Sequence, residues 1–257
     1  MTTITRDTFE ADGRAIPYAD QGEGPAIVLL PAQGLTTTYL ATLASVAEED
    51  GFRVIRVGTR RATGDAVTLH DLAQDVVDVM DHLGVADAWI GGHGFGGMLA
   101  RTVAHDHLSR VVGVMLLGVR STDPADPEAA AALDAIFAAD ADSDVSAAVS
   151  LLVGEGVDLD AATRIILHAR DADARRLQRA ATEATPAAVW TELPAGIPNL
   201  LIQGELDRAL PPTVGLRVQA DAADRASVVT IPGAGFFFPL THAGDVAAEI
   251  EDYLGWD

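Results

Sequence analysis

A glycine-rich segment near the middle of the chain joins a strand pattern to a helix pattern. The segment is Gly91-Gly-His-Gly-Phe-Gly-Gly-Met98, and the apolar run Ala88–Gly91 leads into it. Glycines two residues before and two residues after the centre are typical of a nucleophile elbow, a sharp turn that presents a reactive side chain at the end of a strand. The centre of this turn is Gly94, which has no side chain and cannot form a covalent intermediate.

Two other residues near strand ends could carry a proton. Asp207 follows the strand pattern Asn199–Gln203, and His93 directly precedes Gly94. A carboxylate that is buried without a partner has a raised pKa, so a desolvated Asp207 could move protons on a bound substrate near neutral pH. His93 has two interpretations, as a packing residue behind the turn or as an acid/base group that faces a pocket.

Neither a metal nor a cofactor is expected from the sequence. The chain has 7 histidines and no cysteine, and the histidines show no spacing typical of metal ligands. The glycines at 91–97 are not followed by a Gly-Lys-Ser or Gly-Lys-Thr sequence, so they do not predict a nucleotide site.

The elements that must hold these residues alternate between strands and helices. The clearest helix pattern, Thr68–Leu83, has an apolar face and begins with Thr68 and Asp71, which is typical of a helix cap. A hairpin is predicted around Asp12-Gly13. Nearly continuous apolar runs predict strands of a parallel sheet covered on both faces, and hence a doubly wound α/β fold. These runs are Ala26–Leu30, Arg53–Val57, Ala88–Gly91, Val111–Val119, Asn199–Gln203 and Val228–Ile231.

The alternation stops after Val119. From Ser121 to Leu193 the patterns are helical, and a strand pattern resumes only at Ile197. A helical insertion of this kind suits a cap over a pocket. We therefore predict a core formed by residues 1–120 and 194–257, and a helical cap or lid formed by residues 121–193.

Together these motifs resemble the α/β-hydrolase superfamily, in particular capped, single-domain members such as epoxide hydrolases, lactonases and C–C bond hydrolases. The resemblance covers essentially the whole chain and implies a mostly parallel, twisted sheet covered by helices, with a helical cap. Its other anchors are Val28-Leu-Leu-Pro-Ala-Gln-Gly34, Arg53-Val-Ile with Arg60, Gly204-Glu-Leu-Asp207 up to Pro212, and Ile231-Pro-Gly-Ala-Gly-Phe-Phe-Phe-Pro239.

The chain departs from the superfamily at its catalytic triad. The resemblance places the nucleophile at Gly94, the base after Gly233-Ala-Gly235, which is Phe236, and the acid at Asp207. Glycine cannot attack a substrate and phenylalanine cannot accept a proton, so only the acid is kept. The resemblance therefore implies a degenerate triad, and Ser-His-Asp hydrolysis is not expected.

The oxyanion hole of the superfamily uses backbone N–H groups, which a change of side chain does not remove. By resemblance its donors here are Gln33 and Phe95, although Pro31-Ala32 stands where His-Gly is usual. A surviving hole could hold a carbonyl, carboxylate or enolate oxygen without covalent chemistry; alternatively, the turn is kept only for packing. The superfamily often carries a histidine before the elbow centre, which favours a packing role for His93.

The composition limits the possible partners. The 257 residues include 38 acidic residues against 17 arginines and no lysine, which gives a net charge of −21. Nucleic acids and anionic membranes are recognised by basic patches, so neither is expected. No apolar segment reaches the roughly 20 residues of a membrane span, and the first residues do not resemble a signal peptide. We predict a cytoplasmic protein whose partner is a small molecule, with its oligomeric state left open.

Three functions remain possible. The first is a non-hydrolytic pseudoenzyme that binds a small apolar ligand under the cap or has an accessory role. The second is a noncovalent enzyme, such as a lyase, isomerase, cyclase or cofactor-free oxygenase, that uses the oxyanion donors and Asp207 or His93. The third is an ester or lactone hydrolase with displaced catalytic residues. The loss of two triad positions favours the first function, a non-hydrolytic protein that binds a ligand. A pocket filled by Phe236 would contradict ligand binding. An open pocket with a buried Asp207 near Gln33 would favour the second.

Overall fold

The computed structural model describes residues 4–61, 66–140 and 143–255. Within those ranges the strands form one eight-stranded sheet. They are β1 (Thr5–Ala11), β2 (Arg14–Gln21), β3 (Ala26–Leu30), β4 (Arg53–Val57), β5 (Ala88–His93), β6 (Val111–Leu117), β7 (Asn199–Gly204) and β8 (Ala226–Ile231). Their order is β1-β2-β4-β3-β5-β6-β7-β8. The two pairings of β2 are antiparallel and all the others are parallel.

The Asp12-Gly13 sequence makes the hairpin turn between β1 and β2. Both residues have a positive φ, 52° and 76° respectively, as a two-residue hairpin turn with the correct twist requires. The hairpin predicted from this dipeptide is therefore present, and it pairs with β4 at one edge of the sheet.

The central parallel strands are buried on both faces. Ile27 and Leu29 belong to one hydrophobic cluster, whereas Val28 and Leu30 belong to the other, because successive side chains of a strand point to opposite sides. Both sides need apolar residues, which explains the uninterrupted apolar run in β3. The predicted α/β fold with a mostly parallel sheet is confirmed.

Helices supply the two layers that cover the sheet. Leu43 and Val246 bring the first and last of them into one cluster, and Met80 and Val103 bring two others into the opposite cluster. The helices of the described ranges are α1 (Ala41–Glu49), α2 (Leu69–His82), α3 (Phe95–Asp106), α4 (Pro127–Ala138), α5 (Ser146–Val153), α6 (Leu159–Ala169), α7 (Ala172–Glu183), α8 (Ala187–Thr191), α9 (Pro212–Asp221), α10 (Phe238–Thr241) and α11 (Ala243–Leu254).

Helix α2 begins with the predicted cap. The Thr68 hydroxyl accepts a hydrogen bond from the Asp71 backbone N–H at 3.3 Å, and the Asp71 carboxylate accepts one from the Thr68 N–H at 2.8 Å. This reciprocal capping box satisfies two N–H groups that the helix leaves without a partner.

Three predicted strands are one or two residues longer in the structure: β5 continues to His93, β7 continues to Gly204 and β8 begins at Ala226. Two other predicted elements are cut short or divided by the backbone. The strand predicted to continue to Val119 ends at Leu117, because Gly118 turns the chain with φ of 70°. The helix predicted from Thr241 is divided into α10 and α11 by His242, whose φ of −126° is not helical. Both breaks depend on backbone angles that an apolar pattern does not show.

The segment between β6 and β7 contains α4–α8, which we call the helical insertion. It is tied to the sheet layer through two loops: Leu35 pairs with Arg170, and Ala234 pairs with Gly154, each in a single antiparallel bridge. These loops follow β3 and β8. The insertion therefore lies against two of the loops that the sequence singled out for chemistry.

No helix in the described residues has both the length and the apolar character needed to cross a membrane.

Candidate active site

The turn between β5 and α3 has the geometry of an elbow with Gly94 at its centre. Gly94 has φ of 53° and ψ of −99°. A Cβ atom added to Gly92 would lie 2.2 Å from the carbonyl carbon of Gly96, and one added to Gly96 would lie 2.1 Å from the carbonyl oxygen of Leu30. The strand and helix therefore pack at backbone distance, and both flanking positions require glycine.

The space around Gly94 differs from that of its neighbours. A Cβ atom added there would meet only Leu210 Cδ1, at 3.2 Å. A small side chain would fit with a slight movement of Leu210, but it would be held in an unfavourable backbone conformation that glycine adopts without strain.

Above this turn lies a cavity of about 390 Å³. Four residues singled out in the sequence line it, namely Gln33, Gly94, Phe95 and Phe236. The other two, Asp207 and His93, are not among the described residues of its wall. The cavity thus brings together the predicted oxyanion donors and the two residues that the resemblance aligns with the nucleophile and the base, but not the two predicted proton carriers.

Both predicted oxyanion donors have a free N–H group. Phe95 begins α3, where backbone N–H groups have no partner within the helix, and Gln33 lies within a turn closed by Leu35 N and Ala32 O at 3.0 Å. Neither N–H donates a hydrogen bond within the described part of the chain. An oxygen atom of a bound molecule could accept from them.

The helical insertion fixes the loop that carries Gln33. The Gly34 N–H donates to the side chain of Gln178 at 2.7 Å, and the Gly34 carbonyl accepts from Asp171 N at 2.7 Å. A Cβ atom at Gly34 would lie 2.7 Å from the ring of Phe137. The loop is therefore held by backbone bonds and close packing, without the usual His-Gly sequence before Gln33.

Asp207 follows β7 and is 3% exposed. Its Oδ1 accepts hydrogen bonds from the N–H groups of Ala209 and Leu210, both at 2.8 Å, whereas Oδ2 is buried with no partner in the described residues. Burial raises the pKa of Asp207 from its ordinary 3.8 to about 7, although the two N–H groups act in the opposite direction. A buried acceptor without a partner is unusual in a native fold.

The loop after β8 places Phe236 against an aromatic cluster. Its ring centre lies 4.5 Å from that of His93 and 4.9 Å from that of Phe237. In the same loop, the Phe237 N–H donates a hydrogen bond to the carbonyl oxygen of Leu152 in α5, at 3.1 Å. Phe236 is 8% exposed, so its ring forms part of the cavity wall and leaves the space open.

His93 is fully buried beneath the elbow. Its Nδ1 lies 3.0 Å from the Tyr39 hydroxyl, and its Nε2 has no hydrogen-bond partner in the described residues. Burial lowers the pKa of His93 to about 3, so the ring is neutral at pH 7. Burial, followed by the charge of Asp207, raises the pKa of Tyr39 well above its ordinary value. His93 and Tyr39 thus form a neutral polar pair within aromatic packing.

The cavity wall also contains charged residues that the sequence analysis missed. Arg175 pairs with Asp134 at 2.7 Å, and Arg217 pairs with Asp123. The arginine-rich stretch after Ile166 was visible in the sequence, but nothing in it indicated which side chains face a cavity. The charged residues on the described wall are Arg120, Asp123, Asp134, Arg175, Arg179 and Arg217.

One group of side chains in the described residues could hold a metal ion, away from the cavity. His70 of α2 lies with His105 and Asp106 of α3. Each histidine Nδ1 hydrogen-bonds the Asp106 carboxylate, at 2.7 and 2.8 Å. Because two helices contribute these residues, no linear spacing in the sequence could reveal the group. The expectation of a protein without a metal stays a prediction.

Similar proteins share both the sequence pattern and the fold. Haloalkane dehalogenase 2 of Mycobacterium tuberculosis is 28% identical to this chain over 274 positions, covering 96% of this chain and 94% of the dehalogenase. A thermophilic esterase from Thermogutta terrifontis has a TM-score of 0.72 at 21% identity, covering 98% of both chains. A 2-hydroxy-6-oxo-6-phenylhexa-2,4-dienoate hydrolase from a Rhodococcus species has a TM-score of 0.77 at 18% identity, covering 99% of this chain and 100% of that one.

The two solved structures establish a shared fold, and the dehalogenase is a relative over nearly its full length. The profile of the alpha/beta hydrolase family matches residues 27–249. That range contains the elbow, the helical insertion and the loops after β7 and β8. The chain belongs to the alpha/beta hydrolase family.

Proposed function

We propose that the protein binds a small molecule in the cavity and does not carry out triad hydrolysis. The observation that carries the proposal is an open cavity of about 390 Å³ whose wall includes Gly94 and Phe236, the two residues that the resemblance aligns with the nucleophile and the base. Its volume is within the range of small-molecule sites. Family membership does not decide the chemistry, because one fold supports many functions.

The cavity wall offers no obvious replacement for the missing pair. Ser121 and Thr213 are hydroxyl residues on the described wall, but no histidine of the described residues lines it. The Ser121 hydroxyl hydrogen-bonds the Asp123 carboxylate, but the bond from Arg217, followed by that from Ser121, holds the pKa of Asp123 below its ordinary value, so this carboxylate is a weak base for activating a nucleophile. Asp123 and Asp134 are already paired with arginines. This composition argues against an ester or lactone hydrolase with displaced catalytic residues.

The packing of Phe236 supports ligand binding. Its ring lies against His93 and Phe237, and the cavity beside it remains open. We propose that this loop, once the site of a base, now provides an apolar wall. The unpartnered Oδ2 of Asp207 is consistent with an acid that has lost the histidine it would orient.

We also propose that residues 121–193 act as the cap and that residues 1–120 and 194–257 form the core. Phe137 of α4 and Arg175 of α7 line the cavity together with Gly94 of the core. A ligand there would contact both parts of the chain.

A noncovalent enzyme is the second candidate. One observation favours it: Asp207 has a pKa of about 7 and a free Oδ2, which suits proton transfer at neutral pH. Asp207 is absent from the described cavity wall, however, so a substrate in this cavity would reach it only after a rearrangement. For that reason we rank this candidate below ligand binding.

The test compares hydrolysis of nitrophenyl esters and γ-lactones by the wild type and by the Gly94→Ser/Phe236→His double variant. We expect no turnover above background for the wild type and measurable turnover for the double variant. Gly94→Ser alone is the matched control, because it has a hydroxyl but no base. Circular dichroism and thermal melting establish that each variant is folded.

The proposal would be contradicted if the wild type hydrolysed these substrates and the Asp207→Asn variant did not, because that result would mean that the wild type has an active site that depends on Asp207. If a folded double variant is as inactive as the wild type, the inferred equivalence of Gly94 and Phe236 with the family positions is wrong.

A further inference from the structure

The charges on the cavity wall do not balance. Arg175 and Arg217 each have an aspartate partner, but Arg120 and Arg179 form no ion pair with the described residues. The wall therefore has an excess of two positive charges. The sign of this wall is therefore opposite to that of the whole chain, whose net charge is −21.

Arg120 and Arg179 are close enough to affect each other. Desolvation by surrounding protein and the charge of Arg179 both lower the pKa of Arg120 from its ordinary value. Neither guanidinium donates a hydrogen bond within the described part of the chain, whereas the fully buried Arg101 donates to backbone carbonyls. Both side chains are exposed, so water screens their mutual repulsion, and both guanidinium groups keep hydrogen-bond donors free for a bound anion.

Both arginines are attached to well-fixed backbone. The carbonyl of Arg120 accepts a hydrogen bond from Arg101 Nη2 at 3.0 Å, and Arg101 also donates to Thr191 O at 2.9 Å. Arg179 lies one position after the fully buried Gln178. The Gln178 side chain accepts a hydrogen bond from the Gly34 N–H at 2.7 Å and donates one to the Thr59 hydroxyl at 2.6 Å. The backbones that carry the two guanidinium groups are thus anchored to the core.

We propose that the ligand of this cavity is a monocarboxylate with an apolar body, whose carboxylate is bound by Arg120 and Arg179. The inference rests on the proposed function and adds the chemical class of the ligand. Phe137, Leu133 and Phe236 supply the apolar surface. Asp123 and Asp134 remain on the same wall, and their charges disfavour a phosphate dianion more than a carboxylate monoanion.

The experiment measures binding to the full chain by isothermal titration calorimetry. The probes are straight-chain alkanoates of six to twelve carbons and naphthylacetate, each beside the uncharged alcohol of the same carbon skeleton. We expect at least one carboxylate to bind roughly 10- to 100-fold more tightly than its alcohol, the range expected for charge-assisted hydrogen bonds. Octyl phosphate serves as the dianion probe.

Arg120→Gln and Arg179→Gln should each remove most of that preference. Arg164→Gln is the matched control, because Arg164 is exposed on α6 and absent from the described wall; it should bind like the wild type. Thermal melting establishes that the three variants fold. The inference would be overturned if acids and alcohols bound equally well, or if no carboxylate bound at all. It would also be overturned if both cavity variants kept the wild-type preference, or if octyl phosphate bound more tightly than the carboxylates.

The two proposals fail in different ways. A wild type that hydrolyses esters but selects carboxylates through Arg120 and Arg179 overturns only the non-hydrolytic function. A wild type that lacks hydrolysis and binds alcohols as well as acids overturns only the anion site.

Discussion

The turn after β5 and the loop after β8, which we propose stand at the nucleophile and base positions of the family, differ in how they fill their space. Gly94 has no side chain and has space beside it, while Gly92 and Gly96 hold the turn at backbone distance. At Phe236 a larger ring packs against His93 and Phe237. The turn keeps the shape of an elbow, and the loop contributes aromatic packing. The close approach of strand and helix at this turn thus depends on the flanking glycines, whereas the central position has room for a side chain.

The largest effect is expected at the glycines that hold the turn. Gly92→Ala would place a Cβ atom 2.2 Å from the Gly96 carbonyl carbon, and backbone cannot move away as a side chain can. We expect the free energy of unfolding to fall by about 4 kcal/mol or more, at the upper limit for overpacking. Urea denaturation measures the loss.

The control for that variant is Gly244→Ala, where an added Cβ atom meets nothing within 4 Å. It should be neutral or slightly stabilising, because alanine is preferred to glycine within a helix. If Gly92→Ala were no worse than this control, strand and helix would not be in close contact, and the elbow comparison would fail.

The next largest effect is the pH dependence of stability that we expect from Asp207. Because burial raises the pKa of Asp207 from 3.8 to about 7, the folded protein binds a proton at intermediate pH that the unfolded chain has released. Stability should therefore fall as pH rises from about 4 to about 7 and level off above that, with a contribution of up to about 4 kcal/mol. Asp207→Asn should abolish this dependence and be more stable than the wild type at pH 8, by about 3 kcal/mol after allowance for an unpaired amide N–H.

Thermal and urea unfolding between pH 4 and pH 9 test this expectation, with the exposed Asp252→Asn as the control. The control should keep the wild-type pH profile. A wild type whose stability rises from pH 4 to pH 7 relative to Asp207→Asn would show that Oδ2 has a partner that stabilises the carboxylate, and that Asp207 is not an unpaired acid.

The sequence predicts the scaffold better than the cavity. Ala26–Leu30 and Arg53–Val57 match their strands residue for residue. Burial on both faces explains the unbroken apolar run of the first, whereas the second contains the buried Arg56, whose guanidinium donates to the Gln21 side chain at 2.8 Å. The strand predicted to reach Val119 stops earlier, since a positive φ at Gly118 leaves no trace in an apolar run.

The cavity wall shows the same limit. Gln33 and Gly94 could be singled out because local motifs mark them. Arg120 and Arg179 could not, because the wall is assembled from the loop after β6 and from α7, and only the fold brings these segments together. Charge imbalance within a cavity is a property of the tertiary structure, so a total charge of −21 concealed it.

The smallest effect is expected at Gly94 itself. Gly94→Ala adds a side chain where only Leu210 Cδ1 is near, at 3.2 Å, but φ is 53°. We expect a cost of about 1–2 kcal/mol in unfolding free energy, from backbone strain alone. Gly84→Ala is the matched control, because Gly84 has φ of 68° and no atom within 4 Å of an added Cβ. If the two variants lose similar amounts of unfolding free energy, the elbow has room for a side chain at Gly94, and the only cost is the strain that any residue has at a positive φ. A much larger cost at Gly94 would mean that Leu210 has closed the space, and that the β5 turn, like the loop after β8, has been converted to packing.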